Sequence, residues 1–359
     1  MKKIAVFPGD GIGPEVINAG MSTLLALREK YGLDIEFKTF PWASCEYFMQ
    51  HGQMMPDDWS LQLIGFDAIY FGAVGNPDLV PDHISLWHSI LLFRRVFDLY
   101  VNLRPVKTFK GLEGPLKSRE DIDYLIVREN TEGEYSELGG IMYPGTEREV
   151  ATQTSVFSRF GCDRILHFAF LEARRRKGKL VLATKSNGIA ISMPYWDQRA
   201  RIISQAYPEV SLEKVHIDAL AARFVSNPES LDVVVASNLF GDILSDLGSA
   251  LTGSLGLAAS ACINPERKGA ALFEPVHGSA LDIAGKDVAN PIAAIWSAAL
   301  MLNYLGDCEG SYCQRYRQAA KDLEGAIEKT LQGDIKTLDL GGKASCQEMT
   351  KALLSHIRS

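Results

Sequence analysis

The chain has 359 residues, 47% of them hydrophobic and 23% charged, with a formal net charge of −7. That length predicts about two domains with ample core, and the acidic excess disfavours nucleic acid or an anionic membrane surface as a partner and suits a soluble enzyme. No apolar run approaches bilayer length, and the N-terminus enters a strand too soon for a signal peptide. The six cysteines, Cys45, Cys162, Cys262, Cys308, Cys313 and Cys346, form no CxxC pair. They read as reduced thiols, so a cytoplasmic protein is expected.

Strands and helices alternate along the chain, which predicts an α/β fold. Lys3 to Phe7 reads as a strand entering the glycine loop 9-GDGIGPEV-16. A helix follows, with Pro14 near its start and Val16, Gly20, Leu24 and Leu27 on one face. Gly9, Gly11 and Gly13 invite comparison with a dinucleotide fingerprint. Its third glycine would fall on Pro14, however, and no acid ends the second strand, so a Rossmann fold is not expected. A tight turn and a ligand-contacting loop are equally good readings of this segment.

Asp67 to Val74 reads as a buried strand and Ser85 to Asp98 as a helix. From about Tyr100 the texture becomes extended, over Tyr100 to Thr108, Asp123 to Arg128 and Arg148 to Phe157. Helix Asp163 to Arg176, strand Lys179 to Thr184 and helix Met193 to Ala206 come next, then an apolar strand, Leu231 to Ala236. The C-terminal third reads as helical, with Pro291 opening and Gly306 closing 291-PIAAIWSAALMLNYLG-306. Two domains interleaved in sequence follow from this order.

Several polar groups stand out. In 237-SNLFGDILSDL-247, Asp242 and Asp246 are four residues apart. On a helix they share one face, one turn apart, and such a pair calls for a hard divalent cation unless both acids are solvated in the first turns. Arg94, Arg104 and Arg128 come from separate elements and could together receive a small polycarboxylate; three unrelated surface arginines would look the same. Lys185 and Asp218 stand at carboxyl ends of strands, where α/β folds bind ligands.

The segments 9-GDGIGPE-15, 128-RENTEGEYS-136, 184-TKSNG-188, 237-SNLFGDILSDL-247, 274-EPVHGSA-280 and 289-ANPIAA-294 together resemble the β-decarboxylating dehydrogenases, the isocitrate/isopropylmalate dehydrogenase family, over nearly the whole chain. The resemblance implies that family's fold: two interleaved α/β domains around a central sheet, with 1–99 and 252–359 as a large cofactor-binding domain. Residues 100–251 would form a small domain for dimerisation, substrate and metal. It further implies Mg²⁺ or Mn²⁺ held by Asp242 and Asp246 of one subunit and Asp218 of its partner, with K⁺ as an additional candidate. Arg94, Arg104 and Arg128 match the substrate-carboxylate arginines, and Asp218 also borders the substrate. Tyr135 and Lys185 match the catalytic pair, Lys185 serving across the interface of a homodimer with shared sites. NAD would be bound by Ile12, Asn187, Glu274, His277, Gly278, Ser279, Ala280, Asp282 and Asn290, with His277 against adenine and Asp282 on the ribose. Leu281 departs from the proline usual there.

By the same resemblance, Lys185 takes the proton of the substrate hydroxyl during hydride transfer, and Tyr135 returns a proton to carbon after CO₂ leaves. Trp87, in 85-SLWHSILLFRR-95, stands where isopropylmalate enzymes carry an acid. Together with 193-MPYWDQR-199 it resembles the tartrate/D-malate branch, because an indole there would shrink the pocket. The expected substrate is therefore a small 2-hydroxy dicarboxylate, D-malate or tartrate, with 3-isopropylmalate of leucine biosynthesis as the alternative. His88 departs from the small residue expected at its position. A phosphoryl-transfer reading lacks any GxxxxGK[ST] loop. A catalytically dead binding protein would be expected to have lost Tyr135 or Lys185. Finally, 248-GSALTGSLGLAAS-260 is nearly free of charge and is expected to form helix buried against another subunit.

Overall fold

The structure, a computed structural model, describes residues 1–112, 114–116, 122–307 and 310–359. In chain order the elements are β1 (Lys2–Gly9), α1 (Gly13–Tyr31), β2 (Ile35–Thr39), α2 (Cys45–His51), α3 (Trp59–Gln62), β3 (Ala68–Ala73), α4 (Asp82–Ser85) and α5 (Ile90–Val96). Then come β4 (Val101–Lys107), β5 (Asp123–Glu129), β6 (Gly139–Met142), β7 (Val150–Gln153), α6 (Arg159–Arg175), β8 (Lys179–Thr184) and α7 (Ser192–Ser204). They are followed by β9 (Ser211–His216), α8 (Ile217–Ser226), β10 (Val233–Ala236) and α9 (Asn238–Thr252), and finally by β11 (Ala259–Ile263), β12 (Ala271–Pro275), α10 (Ile292–Leu305), α11 (Ser311–Gln332) and α12 (Cys346–Arg358).

The chain divides into two compact units, one of Met1–Leu99, Lys107–Glu120 and Ser249–Ser359, the other of Tyr100–Val106 and Asp121–Gly248. In the first unit the strands lie in the order β2-β1-β3-β12-β11. All neighbours are parallel except β11 and β12, which run antiparallel. β3 is buried along its whole length, as a strand covered on both faces should be. α10 contacts α1, α11 and β12 and buries residues all round its circumference, which explains why its sequence has no polar face. Pro291 and Gly306 cap it as expected. Phe7, Phe40, Trp42, Trp59, Phe71 and Phe93 fill the opposite side of the sheet, with Phe7 at 4.5 Å from Trp42 and 5.5 Å from Phe93.

The glycine loop is tight for steric reasons. Gly9 and Gly11 have φ of 73° and 60°, and a Cβ on them would lie 1.8 Å from the Ala73 carbonyl oxygen and 1.9 Å from that of Ser279. Close packing therefore accounts for both glycines. The Asp10 carboxylate is also turned inward, onto the backbone N–H groups of Cys45 and Gly75.

In the second unit the order is β4-β5-β10-β8-β9. β5, β10, β8 and β9 are all parallel, so their carboxyl ends share one edge. β6 and β7 form a separate antiparallel hairpin with every residue exposed.

Three expectations change. The helix expected over Ser85–Asp98 is confined to Ile90–Val96, with a short helix ending at Ser85 and a turn at 86–89 before it, where Ser89 takes φ −135° and ψ −96°. Trp87 lies in that turn, half-buried, with the Arg95 guanidinium 4.5 Å above its ring. The segment 248–260 is helical only to Thr252 and then enters β11, and most of it is already buried in the chain. It leaves little apolar surface for another subunit. Cys45, Cys162, Cys262 and Cys346 are free, but Cys313 is disulfide-bonded, so six reduced thiols is not the observed state. Cys308 lies outside the described residues.

Candidate active site

The second unit gathers its polar groups at the carboxyl edge of its sheet. Arg128 stands in register with Ala236, the last residue of β10. Lys185 follows β8, and Asp218 is in the first turn of α8, just past β9. α9 starts two residues after β10 and carries Asp242 and Asp246, one turn apart on one face. This is the edge at which open α/β sheets bind ligands.

Asp242 is the hub. It accepts hydrogen bonds from Arg104 Nη1 at 3.0 Å and from Arg128 Nη1, and from the Tyr135 hydroxyl at 2.7 Å. The Arg128 guanidinium also lies 5.4 Å from the Tyr135 ring, within cation–π range. Both arginines are buried, Arg128 to 1% exposure. Each is oriented by a neutral acceptor that sequence reasoning missed. Asn238 Oδ1 takes Arg128 Nε at 3.1 Å and Nη2 at 2.7 Å; Asn102 Oδ1 takes Arg104 Nε at 3.0 Å. Asp246 lies 3.9 Å from Arg104 and keeps 57% of its side-chain surface. Partial burial raises its pKa, Asp242 adds to the rise, and Arg104 and Arg128 oppose it. Gly241 makes room for the arrangement, because a Cβ there would fall 2.6 Å from Arg128 Cγ.

Lys185 and Asp218 form a pair of their own at 2.9 Å. The hydrogen bond from Lys185 is the main reason the Asp218 carboxyl titrates below its ordinary value. Among the described residues no three acids, histidines or cysteines converge as a metal site. Asp242 and Asp246 offer hard oxygen donors suited to Mg²⁺ or Mn²⁺. One chain thus brings together two of the three carboxylates expected to hold the ion.

The remaining expected residues belong to the first unit, apart from Asn187, which is exposed in the turn after β8. Arg94 and Glu274 are both buried and pair at 3.0 Å, so two groups expected to serve different ligands are partners here. Ile12 is buried, and its N–H donates to the Ser279 carbonyl at 2.8 Å. His277 Nδ1 is 3.0 Å from the Gly278 carbonyl, while Nε2 is buried without a partner. Burial lowers the pKa of this imidazole. Gly278 and Asp282 are exposed, and Ala280 adopts φ 41°. Asn290 is a structural link, with Nδ2 on Asp339 at 2.9 Å and Oδ1 accepting from the Ile292 N–H at 3.0 Å.

An α/β protein with paired carboxylates, two buried guanidinium groups and a phenol at a sheet's carboxyl edge belongs among enzymes acting on small carboxylic acids. The family model of isocitrate/isopropylmalate dehydrogenase matches residues 3–353, and the chain belongs to that family. It is 58% identical over 355 residues to the tartrate dehydrogenase/decarboxylase of Pseudomonas putida, covering 98% of this chain and 96% of that one. It is 57% identical over 354 residues to the decarboxylating D-malate dehydrogenase of Escherichia coli (strain K12), covering 98% and 97%. The crystal structure of isocitrate dehydrogenase from Methylococcus capsulatus matches with a TM-score of 0.88 at 32% identity, covering both chains completely. These relatives favour the tartrate/D-malate reading over the isopropylmalate one. No helix of the described residues is long and apolar enough to cross a membrane.

Proposed function

We propose that this chain oxidises D-malate and decarboxylates the product to pyruvate and CO₂, and oxidises tartrate, using NAD⁺ and Mg²⁺ or Mn²⁺. The observation that carries the reading is Asp242 flanked by Arg104, Arg128 and Tyr135, in a chain more than half identical to enzymes named for those activities. The two buried guanidinium groups supply paired N–H donors for the substrate's carboxylates, with Arg94 assigned as the third on the strength of the family motif. Lys185 takes the hydroxyl proton as the 2-hydroxy acid becomes a 2-keto acid. Tyr135, whose hydroxyl already donates a hydrogen bond in the free chain, delivers a proton to carbon once CO₂ has gone. A divalent cation held by Asp242, Asp246 and a second copy's Asp218 would supply Lewis acidity to the hydroxyl and to the enolate charge. NAD⁺ would supply the hydride acceptor, with His277 facing adenine and Asp282 the ribose diol.

Assembly as a homodimer with shared sites is part of this proposal. The hairpin of β6 and β7 supports it. Leu138, Ile141, Met142 and Tyr143 are each more than half exposed there, and a lone two-stranded hairpin is marginal in water. A second copy laid against this arm would cover those side chains. Cytoplasmic location remains the expectation from composition.

Initial rates of NADH formation with D-malate, L-tartrate, meso-tartrate and 3-isopropylmalate, each with Mn²⁺ and NAD⁺, test the reading. D-Malate should give pyruvate and NADH in equal amounts. A higher kcat/KM for 3-isopropylmalate than for D-malate and the tartrates would overturn the substrate assignment.

A further inference from the structure

The loop 130–136 that carries Tyr135 is stitched to the first turn of α9. Glu134 Oε1 accepts from Ser237 Oγ at 2.8 Å, and Oε2 accepts from the Leu239 backbone N–H at 3.1 Å. Leu239 is the second residue of α9, so the carboxylate satisfies one of the N–H groups that a helix start leaves open, at the positive end of its dipole. α9 has no acid of its own in its first turn. The Asn238 side-chain NH₂ donates to the Glu132 carbonyl at 3.1 Å, and Gly133, at φ 81°, lets the loop approach Asn238 so closely that a Cβ would lie 3.3 Å from it. The residue after Glu134 is Tyr135, and its hydroxyl reaches Asp242, one turn further along the same helix.

We infer that Glu134 is a positioning residue: its carboxylate latches the Tyr135 loop to the start of α9 and so fixes the phenol against Asp242. The inference rests on the reading of Tyr135 as the group that protonates carbon. Two points of attachment on one carboxylate define both distance and rotation relative to α9, whereas the loop's link through the Glu132 carbonyl lies two residues upstream, and the Gln153 amide that donates to the Glu134 and Ser136 carbonyls at 3.0 and 3.3 Å ties the loop to the hairpin rather than to α9. The latch touches no group that binds substrate in the redox half of the reaction, so its loss should act on the protonation step selectively.

The Tyr135 step can be isolated by following exchange of the methyl hydrogens of pyruvate for deuterium, by proton NMR in D₂O with Mg²⁺ present. Oxidation of tartrate, followed as NADH, reports the other half. Glu134→Ala should slow exchange roughly ten- to hundredfold, a loss in the range expected when an acid–base group is displaced by about 1 Å, and should change tartrate oxidation less than threefold. Glu134→Gln, whose carbonyl can still accept from the Leu239 N–H while its NH₂ donates to Ser237 Oγ, should recover most of the exchange. Ser237→Ala, which removes one attachment and spares the helix amide, should give an intermediate loss and carries the test if Glu134→Ala does not fold. Tyr135→Phe is the control. If it leaves exchange intact, the Tyr135 reading itself is wrong. If Tyr135→Phe abolishes exchange while the Glu134 and Ser237 variants leave it unchanged, or lower exchange and tartrate oxidation equally, the latch is refuted.

Discussion

Replacing Arg128 by lysine keeps the charge and removes the fork. The guanidinium is 1% exposed and makes two hydrogen bonds to Asn238 Oδ1, at 3.1 and 2.7 Å, and one to Asp242. A single ammonium nitrogen can reach Asn238 or Asp242 from that position but not with the same set of three bonds. Each charge-assisted bond lost costs about 1.5–3 kcal/mol, and leaving Asn238 Oδ1 buried without a donor costs about 1–3 kcal/mol. Allowing for what the lysine restores, the net destabilisation should be roughly 2–4 kcal/mol. At about 2–4 °C per kcal/mol for a unit of this size, the melting transition should fall by about 5–15 °C. On activity, loss of the bidentate carboxylate contact should raise KM for D-malate roughly 10–100-fold, at one decade for each 1.4 kcal/mol. Scanning calorimetry and initial rates in parallel measure both effects. An unchanged KM for D-malate in Arg128→Lys would refute the assignment of this arginine to the substrate, whatever the variant's stability.

Gly241→Ala should have a related effect without altering a polar group, because its Cβ would lie 2.6 Å from Arg128 Cγ and the buried arginine cannot yield; denaturant titration should show a loss of about 1–3 kcal/mol, with KM for D-malate raised. His277 has its pKa lowered chiefly by burial, so the unfolded chain binds the proton more readily. Its contribution is therefore complete above the unfolded value of about 6.5 and is lost as pH falls below it, towards the folded value. His277→Gln should flatten the fall of stability with pH in that window, and an unchanged slope would mean the imidazole is not sequestered. Asp282→Lys should narrow a preference for NAD⁺ over NADP⁺, since a carboxylate repels a 2′-phosphate; comparison of kcat/KM for the two cofactors checks it.

Much of the architecture is legible in the sequence because burial imposes a period. β3 and β10 read as apolar runs and are buried strands, and α10 runs from Ile292 to Leu305 between the caps Pro291 and Gly306 that its punctuation indicates. The failures fall where no period applies. Trp87 sits in a turn because Ser89 leaves the helical region, and no glycine or proline marks that break. The segment after Thr252 looks helical by composition, yet its last residues begin β11. At the site, Asp242 and Asp246 stand out by their i, i+4 spacing, whereas Arg104 and Arg128 are picked out by the family motifs and not by spacing. Asn238, Asn102 and Glu134 do not, because each acts through hydrogen bonds whose partners only the fold reveals; Asn238 lies 110 residues from the arginine it orients. The Arg94–Glu274 pair is equally silent, joining α5 to β12 across 180 residues.

Whether one chain's Lys185–Asp218 pair serves another chain's Asp242 cluster is tested most directly by mixing two inactive variants, Lys185→Ala and Asp242→Asn, under conditions where subunit exchange is demonstrated. In a two-fold dimer with shared sites, each mixed dimer holds one site with both defects and one with neither. Random mixing should then restore about a quarter of the unmodified activity towards D-malate. If each site is built from a single chain, every site in the mixture carries one defect, and the activity should stay at the level of the separate variants.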